Sequence, residues 1–257
     1  MGVATTQATS AAHLDADERA LPGAGAVDPR TGRPWMMKMN WHDLLFAHWP
    51  VDPAVLRPHV PEGLDIDTRD GVAWVGVIPF HMTGVRLRGL PAVPGIGSFV
   101  ELNVRTYVTD GAHPGVWFCT LDAGSWLGVR IARWWWGLNY LDAKIRCDHD
   151  GDWIKYTSER RNSDATFAGR YRPTGEPFTA KPDTLEQFLT ERYHLYTQRR
   201  GRLIRGSIAH EPWQLRYADL RIDRNTVGDA IGIKLEGVPH AMCSQCPSVR
   251  FWGRECL

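Results

Sequence analysis

From residue 72 onward, apolar and polar positions alternate in short runs broken by Gly, Asp and Pro. The pattern predicts strands over Val72–Phe80, Phe99–Thr109, Val116–Asp122, Tyr140–Cys147, Trp153–Arg161 and Ala165–Arg172. Further strands are predicted over Trp213–Leu220, near Ala241, and over Val249–Trp252. Helical signals are fewer. Asp52-Pro53 sets an N-cap ahead of a proline at the first helical position, and Pro58 and Pro61 close that short helix. Ser125 is placed to cap a helix from Trp126 to about Trp135. The longest predicted helix runs from Leu185 to about Arg199: Thr184 and Gln187 fit a capping box, and Leu185, Phe188, Leu189, Tyr193 and Tyr196 fall near helical spacing. Many short strands and few helices predict an α+β chain, mainly antiparallel β, folded as a sheet or barrel rather than as βαβ units. Residues 1–34 are rich in Ala, Thr, Gly, Asp and Pro without periodicity, which predicts a disordered leader before a single domain over 35–257.

Composition narrows the function classes. The chain of 257 residues is 43% hydrophobic and 23% charged, enough for a real core. Its 30 basic and 29 acidic residues form no basic block, so nucleic-acid binding has little electrostatic support. No stretch of about 18 apolar residues predicts a membrane span, and Asp15, Asp17, Glu18 and Arg19 stand where a signal peptide needs an apolar run. The five cysteines, Cys119, Cys147, Cys243, Cys246 and Cys256, do not form a disulfide framework, which points to a reducing, cytoplasmic compartment. Twelve tryptophans supply core and pocket-wall material.

Two segments carry candidate chemistry. In Val100–Val108, Glu101, Asn103, Arg105 and Tyr107 share one strand face, while Leu102, Val104, Thr106 and Val108 share the other. The polar set faces either water or a cavity. In a cavity, the carboxylate would handle a proton and the guanidinium would anchor a substrate carboxylate. In Arg130–Lys144, a triple Trp lies beside Arg133, and Tyr140, Asp142 and Lys144 alternate onto one face. A lysine in a dry site can form a Schiff base, whereas most strand lysines are solvated. His48, next to the apolar Leu44-Leu45-Phe46-Ala47, is a further pocket candidate against a structural, hydrogen-bonded alternative. One CxxC, Cys243 to Cys246, supplies two ligands where a structural zinc needs four, so neither a metal nor another cofactor is expected. No Walker motif, Rossmann glycine fingerprint, nucleophile elbow or HExxH pair is present.

Several segments together resemble a known family. Trp41-His42-Asp43-Leu44-Leu45-Phe46-Ala47-His48-Trp49-Pro50-Val51, Val60-Pro61-Glu62-Gly63-Leu64, Ala73–Phe80 and Glu101–Val108 are similar to the motifs of the YqjF-like branch of the acetoacetate decarboxylase-like superfamily, in the same order. The resemblance spans roughly residues 38–252. It implies a cone or partial barrel of mainly antiparallel strands around a central pocket. It also implies that Glu101 matches the strand glutamate of the decarboxylase, and Arg133 the arginine ahead of its Gly-Phe-Pro-Lys-Lys motif. That motif falls on Gly137-Leu138-Asn139-Tyr140-Leu141, so Tyr140 and Leu141 stand at the two lysines and the Schiff-base nucleophile is missing. Lys144 could replace it only through a bulge in the strand.

The expectation is an enzyme that acts on a small oxo-acid or related carbonyl compound by proton transfer, of lyase, hydratase or isomerase type. Glu101, Arg133 and Tyr140 would be catalytic, and Arg105, Asn103, Tyr107, His48 and Lys144 would bind substrate. The alternative is a non-catalytic small-molecule-binding protein that kept the pocket. Partners other than the small molecule are not expected, with self-association into a homo-oligomer left open.

Overall fold

The computed structural model describes residues 34–92, 97–124, 138 and 140–257, apart from the side chains of Cys246 and Pro247. The expected leader (except Pro34), the helix expected from Ser125 to Trp135, and Arg133 lie outside the described residues.

The described elements are β1 (Met37–Val51), α1 (Pro53–Leu56), β2 (Asp65–Ile66), β3 (Ala73–Leu87), β4 (Phe99–Thr109), β5 (Pro114–Ala123), β6 (Tyr140–Asp150), β7 (Trp153–Arg160), β8 (Thr166–Phe178), α2 (Leu185–Thr190), β9 (His194–Arg199), β10 (Arg202–His210), β11 (Gln214–Asn225) and β12 (His240–Cys256). The strands form one twelve-stranded sheet, antiparallel except where β5 pairs with β6 and β9. At the start of α1, Asp52 accepts the amide of Ala54 at 2.8 Å, as its N-cap pattern predicts.

The helix expected over 185–199 is corrected. Helix α2 ends at Thr190, and His194–Arg199 is strand β9, paired residue for residue with β10. Thr184 does cap the helix, its hydroxyl accepting the Gln187 amide at 3.3 Å, but the Gln187 side chain accepts from Asp183 instead of closing the box on Thr184. A turn through Arg200 and Gly201, both at positive φ, sets the hairpin register. That non-local pairing outweighs a helical spacing whose last members are β-favouring Tyr193 and Tyr196.

The sheet closes on itself because β5 and β12 each change partner along their length. Strand β5 pairs with β4 throughout, with β9 at Val116–Trp117 and with β6 at Leu121–Ala123. Strand β12 pairs with β11 at Met242–Gln245, with β10 at Val249–Cys256 and with β1 along much of its length. Three arcs of strands therefore join β5 to β12: β4–β3–β1, β9–β10, and β6–β7–β8–β11.

The first arc is shared by two cores, and alternation divides its side chains between them. Leu45, Ala47, Val75, Val77, Leu102 and Val104 pack toward Tyr156, Phe167 and Tyr171 of the β6–β11 arc. Leu44, Phe46, Ile78, Phe80 and Tyr107 pack toward Leu195 and Ile208 of the β9–β10 arc. All of this second set except Tyr107 line a cavity.

Candidate active site

The cavity has a volume of about 300 Å³, within the range of small-molecule sites. Strand β4 supplies its polar wall. Glu101, Asn103 and Arg105 all line it, so the polar face of the strand points into the cavity rather than into water. Tyr140, at the start of β6, enters the same space. Two residues further along β6 that strand face reaches solvent: Asp142 and Lys144 are both exposed.

Glu101 is buried, and its carboxylate takes hydrogen bonds from the Tyr140 hydroxyl and the Asn103 side chain. Its Oε2 has no hydrogen-bond partner among the described residues, nor does Oδ1 of Asn103. Burial raises the Glu101 carboxyl to about 7, against the two hydrogen bonds that favour the anion; buried Asp122 nearby adds to the rise. Burial and the neighbouring Glu101 push the Tyr140 phenol well above its ordinary range, so it stays a hydrogen-bond donor.

Arg105 is buried and directs Nη2 to the Leu189 carbonyl at 3.0 Å, with the Tyr107 hydroxyl 3.4 Å away. Among the described residues it has no carboxylate within ion-pair distance, and its Nε has no partner. Desolvation without a counter-ion is a cost that a nearby anion would relieve. Arg192 and His210 also line this end. Arg192 is already paired with Asp67 at 2.6 Å and lies over the Phe188 ring. His210 is held neutral, its pKa lowered to about 4 by burial, with Nδ1 donating to the Glu211 carbonyl at 2.8 Å.

Of the residues expected in the site, Glu101, Asn103, Arg105 and Tyr140 are therefore brought together. Tyr107 and His48 do not line the cavity; they form a hydrogen-bonded chain behind Arg105, with His48 Nε2 2.6 Å from the Tyr107 hydroxyl. Lys144 is corrected: it is exposed on β6 opposite Glu159, because the strand enters the lumen only at Tyr140. Among the described residues lining the cavity, none is a lysine. Arg192, His210 and the Trp213 wall are not among the residues the sequence points to: isolated His and Arg residues carry no pattern, and strand β10, which ends at His210, is not among the predicted strands.

Solved structures place this architecture in a class. The chain matches acetoacetate decarboxylase from Legionella pneumophila with a TM-score of 0.64 at 11% identity over 98% of each chain. It matches the enduracididine biosynthesis enzyme MppR, solved with pyruvate, with a TM-score of 0.63 at 13% identity over 91% of this chain and 97% of that one. The fold is acetoacetate decarboxylase-like. The profile of DUF2071, described as an uncharacterized conserved protein, matches residues 38–249, and the chain belongs to that family. It is 46% identical over 220 residues to the uncharacterized protein YqjF of Bacillus subtilis (strain 168), covering 85% of this chain and 91% of YqjF.

Proposed function

We propose that the protein is an enzyme that moves a proton at the carbon next to a carbonyl group of a small oxo-acid, without a Schiff base. The observation that carries this reading is Glu101: a buried carboxylate in an apolar cavity, held by Tyr140 and Asn103, with one oxygen unpartnered among the described residues. A carboxyl poised near 7 is half ionised at neutral pH, which suits a general base that must also return its proton. Arg105 would hold the substrate carboxylate. When Glu101 takes a proton from carbon, it ceases to be a strong acceptor. The Tyr140 hydrogen can then turn to the developing enolate oxygen, where a preorganised donor is most effective. The Asn103 carbonyl oxygen would accept from a substrate hydroxyl or enol. Pyruvate in the MppR structure belongs to a protein of the same fold and is a starting point for the substrate search.

A second reading, a binding protein without catalysis, is favoured by the lack of a lysine among the described cavity residues. One experiment separates the two. Pyruvate and longer 2-oxo acids are incubated with the protein in D2O, and loss of the C3 proton signals is followed by NMR. The enzyme reading expects exchange well above the buffer rate, lowered about 10²–10⁴-fold by Glu101→Gln, the usual range for losing a general base. Binding detected by titration with exchange no faster than in buffer would establish the binder.

A further inference from the structure

The cavity is polar at one end and apolar at the other. Arg105, Thr190, Arg192 and His210 gather where β4, α2 and β10 meet. Glu101 lies four residues back along β4 from Arg105, roughly 13 Å along an extended strand. Beyond Glu101 the lining is apolar except for Arg86, which is exposed between Val85 and Leu87. Met36, Met37, Met39 and Met82 all line the space, four of the six methionines of the chain. The lip includes Leu87 and Leu90, which are 40% and 58% exposed, beside exposed Arg86. A mainly apolar path therefore runs from solvent to the Glu101 carboxylate. Methionine side chains are flexible and polarisable, and they suit ligands whose apolar shape varies.

We infer that the ligand is an amphiphilic acid: a carboxylate-bearing head seated toward Arg105 and a flexible apolar chain lying along the methionine wall toward Leu87 and Leu90. This deepens the proton-transfer reading, on which the placement of its head rests. A two- or three-carbon acid would leave the apolar half of the cavity without contacts. A chain filling it gains affinity with every methylene withdrawn from water.

The test is a titration of the full-length protein with straight-chain 2-oxo acids of four to twelve carbons, each below its aggregation concentration, beside the matching alkanols. Binding is read by calorimetry. The expected result is affinity that rises about fourfold per added methylene, then levels off when the cavity is full, with each acid binding tighter than its alkanol and Arg105→Met abolishing that preference. Affinity that is flat or falling with length overturns the inference. The acid-over-alkanol preference of the shortest members then still reports on Arg105, so the oxo-acid reading is judged separately. A rise with length that is equal for acids and alkanols removes the carboxylate anchor, and with it the head of this ligand, while leaving the apolar chain in place.

Discussion

Nε2 of His48 lies 2.6 Å from the Tyr107 hydroxyl oxygen, and that hydroxyl donates to the Leu189 carbonyl at 2.7 Å. Because the only phenolic hydrogen is directed to Leu189, the hydrogen between His48 and Tyr107 belongs to the imidazole, which assigns the Nε2–H tautomer from the network. Burial and the charge of Arg105 hold His48 well below the usual histidine range, consistent with a neutral ring. The chain joins β1, β4 and α2, and Leu189 is also the acceptor for Arg105.

Tyr107→Phe removes the middle of this chain and leaves the buried His48 donor unpaired. Leaving such a group unsatisfied costs about 1–3 kcal/mol. Urea unfolding at pH 8 should show an unfolding free energy lowered by that amount, seen as a lower midpoint with an unchanged slope. An unchanged midpoint would show that the chain contributes nothing to stability.

Glu101 links stability to pH with a definite sign. Its carboxyl is raised from 4.5 to about 7 in the folded protein. The folded state therefore holds a proton that the unfolded chain has released between pH 4.5 and 7. Its contribution is fully present below pH 4.5 and is lost as pH rises through 7. The full effect is at most about 3 kcal/mol. Glu101→Gln, which cannot ionise, should be more stable than the native chain at pH 8, with the advantage shrinking as pH falls toward 4.5. Paired thermal melts across pH 4.5–8 measure it. If Glu101 is the base, the native exchange rate should also climb through pH 7.

Asp122 and Arg160 form a buried pair that bears on the same carboxylate. Arg160 Nε is 2.8 Å from Asp122 Oδ1, and its Nη2 also reaches Thr120 at 3.0 Å. Removing one partner of a buried pair leaves an uncompensated charge, at about 3–5 kcal/mol. Arg160→Met is expected to show that loss in chemical denaturation, and Asp122→Asn less. Because Asp122 adds to the raised pKa of Glu101, Asp122→Asn should also move the midpoint of the Glu101 titration downward, readable by carboxyl 13C NMR. A midpoint that stays in place would mean that the two carboxylates do not sense each other.

What the sequence disclosed follows from how each strand is exposed. Strand β4 alternates, and its polar face was evident, but alternation alone does not say whether that face meets water or a cavity. Strand β1 shows no strand alternation in the sequence, because it serves two cores. Leu44, Phe46 and His48 face one side and Leu45, Ala47 and Trp49 the other, so both faces are buried and the period disappears. The spacing over β9 predicts helix because local spacing cannot register pairing with β10. In the site, Glu101, Asn103 and Arg105 share one strand face, which the alternation makes legible. Arg192 and His210 come from separate elements that only the closure of the sheet brings to the cavity.

His210 should give the opposite pH signature to Glu101. Its ring is wedged against Trp213 and Tyr193, with centroids 4.2 and 5.0 Å away, and burial lowers its pKa from 6.5 to about 4. The folded state thus excludes a proton that the unfolded chain binds between pH 6.5 and 4. Its contribution is present above pH 6.5 and is lost as pH falls through about 4, again by at most about 3 kcal/mol. Between pH 4.5 and 6.5 the slopes of Glu101 and His210 oppose. His210→Phe keeps the ring stack but cannot take up a proton. At pH 8 it should cost about 1 kcal/mol, for the lost bond to the Glu211 carbonyl. As pH falls from 6.5 to 4 it should overtake the native chain in stability. The same melts on Glu101→Gln should show a steeper slope of one sign in that window, to which His210 and the likewise buried His48 both contribute. If His210→Phe instead runs parallel to the native curve at every pH, His210 is not the group that titrates, and its place at the polar end of the cavity is a matter of packing alone.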